Sequence, residues 1–463
     1  MLIIALAGNR NYNSASINNQ GSNGNYWSSS PNGINAYKLY FNSTNVYPTN
    51  SNNRANGFSL RCFKDLLENI EIMENSSKQQ LLLDIFQAYF DARVNKRQTA
   101  NALAFEAGYE KKLFKLFEDI IYRRYKIGPS ICFVVEKPVR REIFAADFRD
   151  RIVHHLIFNY INPIFEKNFI YDSYSCRLGK GTSLGIKRVA HFIRSESENY
   201  QKDCWVLKLD IKGYFMSMDR NILYKKILEK LKAQKRTNFD LDLILYLIHE
   251  VIFNDPTKNC QIKGPRENWA GLARSKSLFF AAKDKGFPIG NLTSQLFGNI
   301  YLDEFDHVIR EKFGIAKYGR YVDDMVFVHS NQATLRLLVT KVKAYLLNDL
   351  GLTLHPNKIY LQYYKKGLNF LGVHIKPYRI YINHKTKSNL YYRIEEWSRL
   401  SLSEKRDKKF LAALNSYLGI MQHYNTWSLR KKIVFNFADF YQISQEFKKL
   451  SLAKLSVNNT INV

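Results

Sequence analysis

The sequence predicts an α+β protein, on three observations. Short runs rich in aromatic and β-branched residues, such as Cys204–Ile211 and Met325–Val328, read as strands. Stretches with apolar residues at helical spacing stand between and after them. The first 62 residues, crowded with Asn, Ser and Gly, differ in composition from everything that follows. At 463 residues and 46% hydrophobic content the chain can bury a large core, and its length suggests about two to four domains.

A formal net charge of +28 calls for a polyanionic partner. Lys and Arg are spread from about residue 93 onward, which fits a groove tracking a nucleic-acid backbone better than a basic tail. The five Cys are widely spaced and include no Cys-x-x-Cys pair, so neither a disulfide framework nor a zinc site is expected and a cytoplasmic setting is simplest. Met1–Ala7 is apolar but short for a signal peptide, and no run of about 18 apolar residues predicts a membrane span.

From Ser76 a helix is signalled, with Leu82, Phe86, Tyr89 and Phe90 on one face. Gly108 followed by Leu113, Leu116, Phe117 and Ile120 predicts a second. Ile131–Val135 reads as a strand, Glu136-Lys137-Pro138 as a turn, and Arg141 to Arg151 as the rest of a basic hairpin. An Arg there can pair two phosphate oxygens at once, with local ion pairs as the alternative. Residues 152–170 predict a helix whose His154 and His155 read as structural, because no third ligand is evident nearby. In Ser173–Thr182, Gly179 and Gly181 flank Lys180 and permit close backbone approach to a phosphate.

Asp210 ends the apolar Cys204–Ile211 strand, and Asp219 can cap a helix carrying Ile222, Ile227 and Leu231. Residues 233–285 form a long Lys-rich connection to which the sequence assigns no role. Gly286, Pro288 and Gly290 turn into a helix starting near Asn291, with Ser294 and Gln295 in its first turn. Tyr321-Val322-Asp323-Asp324 places two acids at the turn of a hairpin. Adjacent carboxylates repel, so a cation is expected there, a solvated Asp-Asp turn being the alternative. From about residue 386 the chain reads as helical and basic: Phe410, Leu414, Tyr417, Leu418 and Met421 keep helical spacing between Lys405, Arg406, Lys408, Lys409 and Arg430, Lys431, Lys432.

These motifs carry a family resemblance. "LDIKGYF" and "YVDD" resemble palm motifs A and C of reverse transcriptases, and Gly286–Gln295 resembles motif B. Ile289-Gly290 before that loop and Ser294-Gln295 at its end are similar to the form found in diversity-generating retroelements. Arg141 with Arg149-Asp150-Arg151, "SYSCRLGKGT", Gly351–Lys358, Asn369–Val373 and "LNSYLGIMQHYNTWSLRKKI" resemble further family segments. The implied fold is a right-hand polymerase: an extension over 1–72, fingers over 73–204, palm over 205–380, helical basic thumb over 381–450 and a frayed tail over 451–463.

The resemblance also implies roles. Asp210, Asp323 and Asp324 would be catalytic and, with Ile211, would hold two Mg²⁺ ions for nucleotidyl transfer. Lys137, Arg141, Phe215, Ile289, Gly290, Gln295 and Lys358 would meet the incoming deoxynucleotide, Phe215 by excluding a 2′-hydroxyl and Lys358 as a general acid. Arg149, Arg177, Lys180, Tyr321, Phe370, Leu371 and Gly372 would meet template or primer. Expected partners are template RNA, a DNA or RNA primer, dNTPs and a small basic helical accessory protein, with no membrane. Tyr26–Ser30, Ala36–Phe41 and Gly57–Cys62 resemble the end of the lectin-like domains such elements diversify. The Asn-rich start would then be a translated template repeat, and the enzyme proper would begin near Met73. A group II intron or retron enzyme is the alternative, although nothing after residue 450 resembles a maturase or zinc-bearing endonuclease. A catalytically inactive nucleic-acid scaffold and a ligand-binding display protein are more distant ones.

Overall fold

The computed structural model describes residues 9–10, 17–18, 24–32, 35–41, 46–53, 76–94, 96, 99–136, 139–399 and 416–430. Lys137, Cys62, Phe410, Leu414, the lysines and arginine at 405–409, Lys431, Lys432 and the tail lie outside them. The chain divides into two compact units. Among the described residues no helix is long and apolar enough to cross a membrane.

The first unit comprises residues 1–127, 148–157 and 235–247. Its N-terminal segment holds β1 (Asn9–Arg10) paired with β2 (Ile17–Asn18), and an antiparallel meander of β3 (Gly24–Asn32), β4 (Asn35–Phe41) and β5 (Val46–Asn53). Composition alone predicts weak folding here; β3 and β4 cover the Tyr26–Ser30 and Ala36–Phe41 runs, whose aromatic residues favour extended backbone. Helices Ser76–Arg93 and Tyr109–Ile121 stand where capping and periodicity place them, and Ala100–Glu106 adds one that periodicity missed. Tyr89 stacks on Tyr109 with centroids 4.8 Å apart, and the edge of Phe148 meets it. Leu113, Leu116, Phe117 and Ile120 are buried, as their spacing requires. Burial pushes the His154 imidazole down to about 3, so it is a neutral packed side chain.

The second unit comprises residues 128–147, 158–234 and 248–463. Its central sheet runs in the order β10 (Tyr318–Tyr321), β11 (Asp324–His329), β8 (Trp205–Asp210), β12 (Tyr360–Tyr363), all pairs antiparallel. Val206, Val326 and Val328 join Ile186, Val189, Phe192 and Ile193 of the Thr182–Glu196 helix in one core. The Gln332–Asn348 helix also packs on β8 and β11. Because both faces are covered, β8 and β11 read as nearly continuous apolar runs rather than alternating ones. In the Arg220–Lys232 helix the Asp219 carboxylate accepts from the amides of Asn221 and Ile222, and Leu223 takes the buried position where Ile222 was expected.

A second sheet pairs β6 (Ser130–Val135) antiparallel with β7 (Arg141–Ala145) and parallel with β9 (Cys260–Ile262). This gives the 233–285 connection a role: it returns as β9 to widen the basic hairpin. Its later turns dock on Glu142, which is fully buried and accepts from Trp269 Nε1 at 2.8 Å, Ser277 Oγ at 2.8 Å and the Leu278 amide at 2.6 Å. A third sheet is formed by β13 (Leu368–Phe370), β14 (Val373–Lys376) and β15 (Arg379–Ile382). Beyond it Ile382, Leu390, Trp397 and Met421 form a small core between the His384–Ser398 helix and helical residues 416–421. Tyr417 and Leu418 pack on that core.

Candidate active site

The β8–β11 register sets Asp324 directly opposite Asp210. Side chains directly opposite on one sheet face approach closely, so like charges there are costly. Val322 and Asp323 make the turn out of β10, with Val322 at φ +57. Burial, then the charges of Asp210 and Asp324, push the Asp323 carboxyl up to about 7. Asp324 is also raised, by burial and Asp210, against the lowering effect of Lys208.

Two lysines answer this negative charge. Lys208, two residues before Asp210 on the same strand face, places Nζ 3.1 Å from Asp324 Oδ1. Lys358 places Nζ 2.7 Å from Asp210 Oδ2. Burial would lower the Lys358 ammonium, but its bond to Asp210 and the charges of Asp323 and Asp324 raise it. The Asp210 carbonyl accepts from the His355 amide at 2.7 Å, and Ile211 bridges to Leu354, so the Gly351–Lys358 segment is tied to the end of β8.

Among the described residues no group of three or more His, Cys, Asp or Glu is already arranged as a metal cage. The donors nevertheless suit a hard divalent ion: Asp210 and Asp324 stand opposite each other, and the charges of both act on Asp323 in the adjoining turn. The lysines hold carboxylate oxygens that such an ion would share.

A buried ion pair anchors the hairpin, and sequence reasoning missed it. Arg320 on β10 is fully buried and bonds Asp306 of the Leu292–His307 helix through Nε at 2.8 Å and Nη2 at 2.5 Å. Its Nη1 donates to the Val322 carbonyl at 3.0 Å, fixing the turn before Asp323. Tyr318 Oη donates to Asp306 at 2.6 Å. The sequence signal was a charged residue inside an otherwise buried strand, which requires a buried partner. Nearby, Tyr174 lies over Gly319, where a Cβ would come within 2.5 Å of its hydroxyl; that hydroxyl bonds Asp172, itself paired with Arg188 at 2.6 Å.

The motif B loop is fastened to the basic hairpin. The Phe144 amide donates to the Ile289 carbonyl at 2.9 Å. Gly290 has φ +130, and a Cβ there would stand 3.0 Å from both Phe144 O and Ile143 Cγ2. Arg141 is exposed at the start of β7, close enough for its charge to act on the Tyr321 hydroxyl. Phe215 packs against the cluster of Cys132, Phe144, Met216 and Leu278, as does Ile289, and Gly298 leaves room for the Phe215 ring. Ser294 and Gln295 share the first turn of the helix, as expected, but diverge: Ser294 is buried and Gln295 exposed.

Other expected contacts stand differently. Arg177 is engaged within its own loop by Glu166 at 2.8 Å and the carbonyls of Ile170 and Ser173. Its guanidinium therefore braces that loop where a template contact was expected. Lys180 lies over the Tyr171 ring, 3.3 Å from its centroid. Arg149 belongs to the first unit, where it pairs with Asp119 at 2.9 Å. Leu371 and Gly372 form the left-handed turn between β13 and β14, and Phe370 is buried beneath it.

Residues 136–375, a little over half of the chain, match the family model "Reverse transcriptase (RNA-dependent DNA polymerase)". Among curated proteins the chain is similar to Protein YkfC of Escherichia coli (strain K12), 23% identical over 256 residues, which span 48% of this chain and 60% of that protein. It is also similar to the putative COX1/OXI3 intron 2 protein of Saccharomyces cerevisiae, 21% identical over 346 residues, 66% of this chain and 39% of that protein. The chain thus spans about three fifths or less of these relatives' lengths. Among solved structures, telomerase from Candida albicans in complex with a fragment of telomeric RNA aligns with TM-score 0.45 and 13% identity, over 75% of this chain and 60% of that one. Telomerase from Candida tropicalis, without its C-terminal domain, aligns with TM-score 0.40 and 14% identity over 57% and 58%. With its paired acids at the strand ends, its glycine loop and the matched family model, this chain belongs to the reverse transcriptase family and has the right-hand polymerase fold.

Proposed function

We propose that this chain copies RNA into DNA, and that Asp210, Asp323 and Asp324 are its catalytic carboxylates. The observation that carries this reading is the register that sets Asp324 opposite Asp210, with Asp323 in the adjoining turn. Asp210, Asp323 and Asp324, with the backbone at Ile211, would hold two Mg²⁺ ions. When bound, the ions supply Lewis-acid activation of the primer 3′-hydroxyl and neutralise triphosphate charge.

The chain's own residues supply the rest. Arg141 offers a guanidinium fork to the triphosphate from the edge of the basic hairpin. Phe215, packed against the cluster that holds Phe144 and Met216, presents a ring against the sugar and excludes a 2′-hydroxyl. Lys358, kept charged beside Asp210, can release that carboxylate and donate a proton to the departing pyrophosphate. Lys180, Tyr321 and the Leu371-Gly372 turn are assigned to template and primer.

Within the family we assign the chain to a diversity-generating retroelement, on Ile289-Gly290 and Ser294-Gln295 and on the Asn-rich start. Its substrates would be a template-repeat RNA, a primer and dNTPs, and a small basic accessory protein would bind it. A cytoplasmic setting goes with this reading, in keeping with free thiols at Cys132, Cys176, Cys204 and Cys260. The likeness to an intron-encoded protein favours a group II intron enzyme as the second reading.

Sequencing cDNA made on an adenine-bearing template RNA separates the two. Substitutions concentrated opposite template adenines support the retroelement assignment. Faithful cDNA overturns it and leaves the intron reading.

A further inference from the structure

A cavity of about 870 Å³ lies away from the acid cluster, bounded by the Thr182–Glu196 helix, the β14–β15 turn and residues 422–425. Lys187 and Arg194 reach it from one face of the helix, and Lys376 and Arg379 from the turn, while among the described residues no Asp or Glu lines it. Three tyrosines, Tyr200, Tyr378 and Tyr424, stand in the wall. Tyr378 is 78% exposed, and the edge of one ring meets the other in its contact with Tyr200, centroids 4.5 Å apart.

The backbone around this cavity is held in a conformation that side chains disfavour. Lys376 pairs with Arg379, so Pro377-Tyr378 is a two-residue hairpin turn, and Tyr378 has φ +62 where glycine is the relaxed choice. Glu198, Asn199 and Tyr200 are three successive residues at φ +46, +58 and +72. Of the nine non-glycine residues with positive φ among those described, Asn199, Tyr200 and Tyr378 line this cavity, and Glu198 lines an adjoining pocket that shares Asn199. Such strain persists where surrounding structure over-determines it and concentrates at binding sites. Here the Arg194 Nε–Asn199 Oδ1 bond at 2.7 Å and the Tyr364 hydroxyl donating to the Tyr200 carbonyl at 2.9 Å hold the loop. Asn425 closes the far side through two bonds with the Ile380 backbone.

The site stands apart from the expected primer turn. β14 has four residues and joins the Leu371-Gly372 turn at one end to the Tyr378 turn at the other. At roughly 3.3 Å per residue the two turns are about 13 Å apart. Cations without acids attract phosphates, and an exposed ring offers a stacking face to any base. We infer that this cavity binds a single strand of nucleic acid, outside the polymerisation cleft, with the base on Tyr378 and the phosphates on Lys376, Arg379, Arg194 and Lys187. The strand comes either from an unpaired part of the template RNA or from released cDNA.

The test uses the full chain preloaded with saturating primer–template duplex, so that the cleft is filled. Fluorescein-labelled unstructured 12-nucleotide RNA and DNA probes are then titrated by anisotropy. The expected result is that one of them binds, the tighter probe naming the source. Tyr378→Gly, which suits the left-handed turn and removes the ring, should weaken binding about tenfold without lowering thermal stability. Lys376→Gln with Arg379→Gln should flatten the salt dependence by about 0.7 for each phosphate that the variant no longer neutralises. Extension of the preloaded primer should stay as in the wild type. The inference is overturned if neither probe binds the preloaded chain, or if the variants bind as the parent does. A parallel fall in primer extension also overturns it, placing these residues in the cleft, as does tighter binding of an acidic 12-residue peptide than of either probe.

Discussion

Arg320 and Asp306 form a fully buried ion pair, with Nη2 2.5 Å from Oδ2, and the same guanidinium holds the carbonyl of Val322. The pair thus links the helix of motif B to the turn that carries Asp323. A buried pair adds little net stability over well-packed apolar residues, but removing one partner strands the other's charge.

Asp306→Ala should therefore destabilise the chain by about 3–5 kcal/mol in urea unfolding. Asp306→Leu combined with Arg320→Met should recover most of that loss, yet leave the Val322 carbonyl unheld. The double variant is expected to fold and to extend primers with a lowered kcat. Wild-type kcat in that variant would reduce the pair to a packing element.

Glu142 accepts from three donors in a fully buried site beside Arg141. Glu142→Ala should cost about 3 kcal/mol, since Trp269, Ser277 and Leu278 each lose their acceptor. Amide hydrogen exchange should rise at residues 274–281, with little change in the β8–β11 sheet. A uniform rise across both would show that Glu142 supports the unit as a whole.

Phe215 rests against Gly298 and the cluster that holds Phe144 and Met216. Phe215→Val should admit ribonucleotides on the order of tenfold more readily, measured as the ratio of kcat/KM for dNTP and rNTP. An unchanged ratio would leave the ring only a core role.

Asp303 gives a pH dependence independent of the catalytic acids. Burial, then Asp306, push its carboxyl up to about 6, while His307, Arg320 and Lys230 pull it down; among the described residues its Oδ1 has no hydrogen-bond partner. The native state then holds more protons than the unfolded one, whose carboxyl titrates near its ordinary value of about 3.9. Stability from this group is full below that value and is lost as pH rises through about 6, by roughly 2–3 kcal/mol. The His307 ammonium form, disfavoured by burial but raised further by its bond to Glu311, adds stability that is also lost on raising pH. Asp303→Asn should flatten the decline between pH 4 and about 6 in denaturant titrations; a parallel curve would contradict this.

Much of this was legible in the sequence because it is local. The Asp323-Asp324 turn, the cap at Asp219 and the glycines around Pro288 follow from residues next to one another. What was not legible depends on residues far apart. The three-residue β9 has too little pattern to announce its parallel pairing with β6, so the 233–285 connection looked purposeless. Asp306 shows no sign in its own helix that Arg320 lies opposite. Arg177 carries the composition of a template contact, yet its own loop folds carbonyls around it. Gln295 and Ser294 are neighbours in sequence, and one helical step of about 100° sends them to different sides.

Primer extension on an RNA template with Mg²⁺, comparing the wild-type chain with Asp323→Asn, tests the central claim most directly. The substitution removes one charge from a crowded cluster, so the variant should fold at least as well as the parent by thermal unfolding. The account predicts cDNA from the wild type and at least a thousandfold loss in the variant, the scale on which removing one catalytic group acts. A folded Asp323→Asn chain that makes cDNA at a rate near the wild type would contradict it.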